Sequence, residues 1–155
     1  MRKFMTVFIA ALVMVGCSLT IKPNYIYEPK NQDPVLVFNS DIELPTVFYV
    51  NIDPANNYSP ETFQLVGYIL HKDSIFLFDV PNKEFQVSVP ADQKVVVKAL
   101  HDFSDGRTYS HCGPFYESFT PQKGKTYLVK MHQIKDYCSL SVREYTKPRP
   151  PAPAE

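Results

Sequence analysis

Residues 84–103, EFQVSVPADQKVVVKALHDF, constrain the fold more than any other stretch. Phe85, Val87 and Val89 alternate with Glu84, Gln86 and Ser88, so one face is apolar and the other polar. Side chains alternate between two faces only in an extended chain. The step Ala91-Asp92-Gln93 turns that strand into a second, Val-rich one. From residue 35 onward further short strand-like runs follow: the apolar VLVFN, PTVFYVNID, QLVGYILH, SIFLFDV, KTYLVKMHQ with Tyr127, Val129 and Met131 on one face, and CSLSVREY. Between these runs lie turn signals: Lys72-Asp73, the SDGR step with Gly106, and PQKGK. RTYSHC and FYESF flank Gly113-Pro114, which reads as a further break. The chain also holds 10 Tyr and 11 Phe, residues that suit half-buried strands. These features predict an all-β domain, an antiparallel β-sandwich of about eight short strands, with a small closed barrel as the alternative. Within residues 54–66, SPETF offers an N-cap, a proline at N1 and an acidic first turn, the start signals of a short helix.

The N-terminus follows a different rule. Arg2 and Lys3 precede an uncharged, mostly apolar run over residues 4–15. Twelve residues match the core of a secretion signal, whereas a spanning helix needs about 20. Met14-Val15-Gly16-Cys17 ends the run. This arrangement resembles the lipobox of bacterial lipoproteins, with Met14 where Leu is usual. The resemblance implies cleavage after Gly16 and acyl chains, palmitate among them, on Cys17. Several acyl chains hold a protein firmly at a bilayer. An Asp after the cysteine commonly marks retention in the inner membrane of Gram-negative cells. Ser18 stands there, so the resemblance implies the periplasmic face of the outer membrane. The other reading is an ordinary secreted protein with Cys17 free.

Four segments follow: a signal peptide (1–16), a lipid anchor and proline-punctuated tether (17–34), a β-sandwich domain (35–146) and a proline-rich tail (147–155). Pro23, Pro29 and Pro34 resist regular helix in the tether, although Tyr25 and Tyr27 could instead pack on the domain as an edge strand. The tail KPRPPAPAE reads as extended and exposed. The mature chain has 14 basic and 16 acidic residues once Arg2 and Lys3 are removed. That balance argues against a nucleic-acid partner. With Cys17 acylated in an oxidising compartment, Cys112 and Cys138 are left to pair. The parity of CSLSVREY points Cys138 inward with Leu140 and Val142. The rival is a reactive thiol or metal ligand at Cys112, beside His111.

Residues 64–145 also resemble small bacterial lipoproteins of uncharacterised function. The residues that carry this are LVGYILHKDSIFLFDVP, the turn Val89-Pro90-Ala91-Asp92 and the hairpin Phe119-Thr120-Pro121-Gln122-Lys123-Gly124-Lys125-Thr126-Tyr127. The turn has Asp92 where those proteins have Gly. The resemblance implies a β-sandwich, agrees with the cysteine pair, and implies no activity.

The search for chemistry finds no catalytic set. There is no G-x-S-x-G elbow and no glycine-rich phosphate loop. Ser110, His111 and Cys112 are adjacent, but neighbours on a strand face opposite ways. His101 and His111 could meet across a hairpin around Gly106, with Asp102 nearby; this is the sharpest metal arrangement, yet no metal or cofactor is expected. Tyr58, Arg107, Tyr109, Phe115 and Tyr116 fall on loops, and Tyr and Arg there make good contact residues. Arg107, Tyr109, Phe115 and Tyr116 are the candidate partner-binding residues. The expectation is a non-enzymatic, membrane-anchored envelope lipoprotein that binds a protein or cell-wall partner. Two alternatives share its class. One is a docking lipoprotein of a secretion machine. The other is an inhibitor of a lysozyme-like hydrolase, because residues 104–109, SDGRTY, loosely resemble the S-x-x-x-x-Y loop of one inhibitor family while lacking that family's tryptophan.

Overall fold

The computed structural model describes residues 23–43, 45–52, 60–71, 82–104, 107, 109–135 and 137–146. In chain order these form β1 (Val35–Ser40), β2 (Thr46–Asn51), a 3-10 turn (Pro60–Thr62), β3 (Gln64–Ile69), β4 (Phe85–Ser88), β5 (Val95–Ser104), β6 (Tyr109–Phe119), β7 (Thr126–Ile134) and β8 (Tyr137–Glu144). The strands make two four-stranded sheets, ordered β4-β1-β7-β8 and β3-β2-β5-β6. Every neighbouring pair is antiparallel except β1 and β7, which run parallel. The sheets pack face to face as a sandwich and do not close into a barrel.

Alternation builds the core. Leu36 and Phe38 of β1, Phe48 and Val50 of β2, Val95, Val97 and Ala99 of β5, and Val129 and Met131 of β7 are all fully buried between the sheets. Phe38 stacks on Phe85 with ring centroids 4.8 Å apart and meets Phe48 edge-on at 5.2 Å. Such pairs add about 1 kcal/mol each beyond the area they bury. Phe85 also explains Gly67 on the opposing β3. A Cβ there would lie 2.9 Å from the Phe85 ring, closer than real contacts allow. Buried polar groups are paired. Ser40 and Thr46 share a hydroxyl–hydroxyl bond of 2.9 Å where β1 leads into β2, and the Asn51 amide donates to Thr62 Oγ1 at 2.7 Å.

Gly113-Pro114 does not end a strand. β6 runs through it as one strand. Its register against β5 jumps from Ala99↔Phe115 to His101↔Cys112, so two residues of β6 face one of β5. This bulge reverses the parity, and Cys112 and Phe115, three apart, both pack against the core. A proline is tolerated because β6 is an edge strand. Gly113 takes φ of 100°, a conformation that suits glycine. Of the helix expected within residues 54–66, only the 3-10 turn Pro60–Thr62 falls among the described residues. The expected strand SIFLFDV lies outside them.

Of the two readings of this proline-punctuated segment, docking on the domain is the one seen for residues 24–34. The backbone amides of Asn24 and Tyr25 both donate to Leu65 O at 3.0 and 3.1 Å, and Asn24 Oδ1 accepts from Leu65 N. Tyr25 packs against the core and its hydroxyl donates to Ser88 O at 2.7 Å. The segment therefore ties β3, an edge of one sheet, to β4, the facing edge of the other. Burial, with Tyr27 and Asp33 nearby, pushes the Tyr25 hydroxyl well above the ordinary tyrosine range. Asp33 closes the segment. It accepts from the Lys30 amide at 2.6 Å and the Tyr27 hydroxyl at 2.8 Å, and these bonds hold its carboxyl below the usual range.

Candidate functional site

The strand directions give the sandwich two distinct ends. At the near end, residues 24–34 meet the turns 89–94 and 120–125 through Val89 N to Pro34 O and Gly124 N to Gln32 O, and Asp92 N to Pro121 O joins the two turns. At the far end lie the β1–β2 connection, the β5–β6 and β7–β8 hairpin tips, and His71 after β3.

Cys112 and Cys138 form a disulfide. It joins β6 to β8, the edge strands of opposite sheets, on the side of the sandwich away from Tyr25. The parity expected for Cys138 holds, since Leu140 and Val142 share its inward face. A disulfide-bonded Cys112 is not a thiolate for catalysis or metal binding.

The disulfide sits beneath the two far-end hairpin tips. On β6, Tyr109 is 67% exposed and its ring stacks on His111 with centroids 6.1 Å apart. On the β7–β8 tip, Ile134 pairs with Tyr137; they are 65% and 80% exposed. Ile134 and Tyr137 were not foreseen. An apolar residue at a hairpin tip looks in sequence like the end of a buried strand.

The four residues expected to bind a partner do not share one loop. Phe115 is in mid-strand and packs against the core. Tyr116 pairs with Lys98 on the outer face of its sheet and meets the buried Phe63 edge-on at 5.7 Å. The Lys98 ammonium lies 4.0 Å from the centroid of the Tyr49 ring, and burial lowers its pKa. Lys98, Tyr49, Phe63 and Tyr116 thus form a cation–π cluster on the outer face of the sheet, with Tyr116 42% exposed. Only Tyr109 and the exposed Arg107 lie at the far end. Their partners on β5, Ser104 and Lys98, are six steps apart, so Tyr109 and Tyr116 are about 20 Å apart at 3.3 Å per residue. Tyr58 and Cys17 lie outside the described residues.

The histidines take separate roles. His101 is fully buried. Its Nδ1 donates to Pro45 O at 2.7 Å, which leaves Nε2 to share a 3.0 Å bond with Ser110 Oγ. His111 is paired opposite Asp102, on the outer face, so the two histidines do not converge. Among the described residues no three His, Cys, Asp or Glu side chains could hold a metal together. His132 on β7 forms a chain that sequence could not reveal. Its Nδ1 lies 3.1 Å from Asp41 Oδ2 and its Nε2 3.0 Å from Ser141 Oγ. Lys130 Nζ binds the other Asp41 oxygen at 2.7 Å. Burial works against ionisation of Asp41, but the hydrogen bonds and charges of Lys130 and His132 outweigh it and hold the carboxyl below its usual range. The order Asp–His–Ser is that of a hydrolytic triad. An oxyanion hole also needs donors above the nucleophile, whereas Ser141 stands on β8, a strand whose amides lie in the plane of the sheet.

Compared with known proteins, the chain matches no family, and no curated protein is significantly similar to it.

Proposed function

We propose that this chain is a non-enzymatic lipoprotein of the bacterial envelope, held by an acylated Cys17 and binding a protein or cell-wall partner at the far end of the sandwich. The observation that carries the reading is the exposure of Tyr109, Ile134 and Tyr137 at the end opposite the one where the chain leaves toward Cys17. Large exposed aromatics on rigid hairpins make strong contacts, because few side-chain torsions must be frozen on binding. The Cys112–Cys138 bridge fixes the two tips relative to each other and suits an oxidising compartment. Docking in a secretion machine and inhibition of a hydrolase are narrower forms of the same reading, and the S-x-x-x-x-Y string ends at Tyr109.

The test is in-cell photo-crosslinking, with the probe at Tyr109 or Tyr137 and, as the control, at Lys123 of the near end. Specific adducts at the far end that Tyr109→Ala or Tyr137→Ala weakens are the expected outcome. Adducts only from position 123 would sink the reading. A second reading has one observation behind it, the Asp41–His132–Ser141 chain, which would make Ser141 a nucleophile. A fluorophosphonate that labels Ser141 and fails to label the His132→Ala protein would establish it; absence of labelling removes it.

A further inference from the structure

We infer that the near end of the sandwich lies against the lipid surface, with Ile26 entering the interface between headgroups and acyl chains. The inference rests on the acylation of Cys17 proposed above. Two observations carry it. The first is chain length. Asn24 and Tyr25 are bonded to Leu65, so only six residues lie between the fixed backbone and Cys17, a span of seven residue steps. Fully extended they reach at most about 25 Å. An undocked tether reaching to residue 34 would have more than doubled that reach.

The second observation is Ile26 itself. Tyr25 turns toward the domain and bonds Ser88, and Tyr27 folds back onto Asp33 of its own segment. Ile26 between them faces outward and is 88% exposed, more than Tyr109, Tyr116, Ile134 or Tyr137. A branched apolar side chain held outward on a docked segment, close to a lipid anchor, matches the chemistry of an interfacial residue. Charge adds little, since exposed Lys30, Lys94 and Lys123 at this end are offset by Glu28 and Asp92. The contact is therefore apolar and indifferent to anionic lipid. The same geometry turns the Tyr109 and Tyr137 tips away from the bilayer.

The chain contains no tryptophan, so a single introduced one reports its own surroundings. The full-length mature protein, its acylation checked by mass, is reconstituted in phosphatidylcholine vesicles brominated near the headgroup. The Ile26→Trp protein is expected to lose most of its emission, and the Ile134→Trp protein at the far end to keep most of its own. Equal quenching in both proteins, or quenching at position 134 alone, overturns the orientation. A protein without acyl chains overturns the anchor and the orientation together. An acylated one with an unquenched Ile26→Trp overturns the orientation alone.

Discussion

The two lateral edges of this sandwich face the same problem and meet it differently. Two sheets packed face to face leave an open seam wherever edge strands oppose each other. On the β6/β8 side the seam is closed by a covalent bond, Cys112–Cys138. On the β3/β4 side it is closed by a strand-like segment that makes hydrogen bonds to both sheets and inserts one aromatic ring, Tyr25. Gly67 against Phe85 completes that side by close packing. The covalent edge lies beneath the tips that would meet a partner. The non-covalent edge is next to the proposed anchor. Rigidity is thus concentrated where recognition is proposed, and the edge held by weaker forces is the one that a nearby membrane would order.

The largest expected effect separates the two edges by redox chemistry. Joint substitution of Cys112→Ser and Cys138→Ser should cost about 3 kcal/mol for a loop of this size. Thermal unfolding reads this as a fall in Tm of roughly 10 °C, and reductant should reproduce the loss in the parent and do nothing to the variant. Next, Tyr25→Ala should cost about 2 kcal/mol through lost packing and an unpaired Ser88 carbonyl, and this loss should be unchanged by reductant. The edges are on opposite sides of the core, so the combined variant should lose the sum in chemical denaturation; strong coupling would break the comparison. Gly67→Ala should cost about 1 kcal/mol, because Phe85 is stacked on Phe38 and yields little room.

The smallest effect is a dependence on pH confined to the Tyr25 edge. Tyr25 has a raised pKa, so its contribution is complete below the ordinary tyrosine value of 10.0 and is lost as pH climbs above it. Asp33 has a lowered pKa, so its contribution is complete above 3.8 and fades as pH falls below that value. Protection of the Leu65 amide, which donates to Asn24, relative to its intrinsic exchange rate should therefore fall at both extremes. Amides of β8 beside Cys138 should change less.

Much of this fold is legible in the sequence, for a physical reason. A strand buried on one face must alternate, and β4 and β8 do so, down to the inward parity of Cys138, while β5 and β7 bury an added residue on the other face, Val96 and Leu128. What escapes is whatever depends on partners distant in the chain. Gly113-Pro114 looks like a break, and only its edge position beside β5 makes it a bulge. Nothing in IKPNYIYEP states that Asn24 and Tyr25 will bond Leu65, because the segment enters no regular ladder. Asp41 and His132 are 91 residues apart and meet only because β1 lies beside β7. Phe115 reads as a loop aromatic until the bulge turns it inward. The cysteine pair was legible because the expected export and acylation of Cys17 leave it no other partner.

The account stands on one premise, that the chain is exported, acylated at Cys17 and oxidised at Cys112 and Cys138. An intact mass spectrum of the full-length protein, extracted in detergent from cells, tests this most directly. The prediction is the mass of residues 17–155 plus acyl chains, less the two hydrogens of one disulfide. An unlipidated chain that keeps residues 1–16, or one with free thiols at positions 112 and 138, would contradict it.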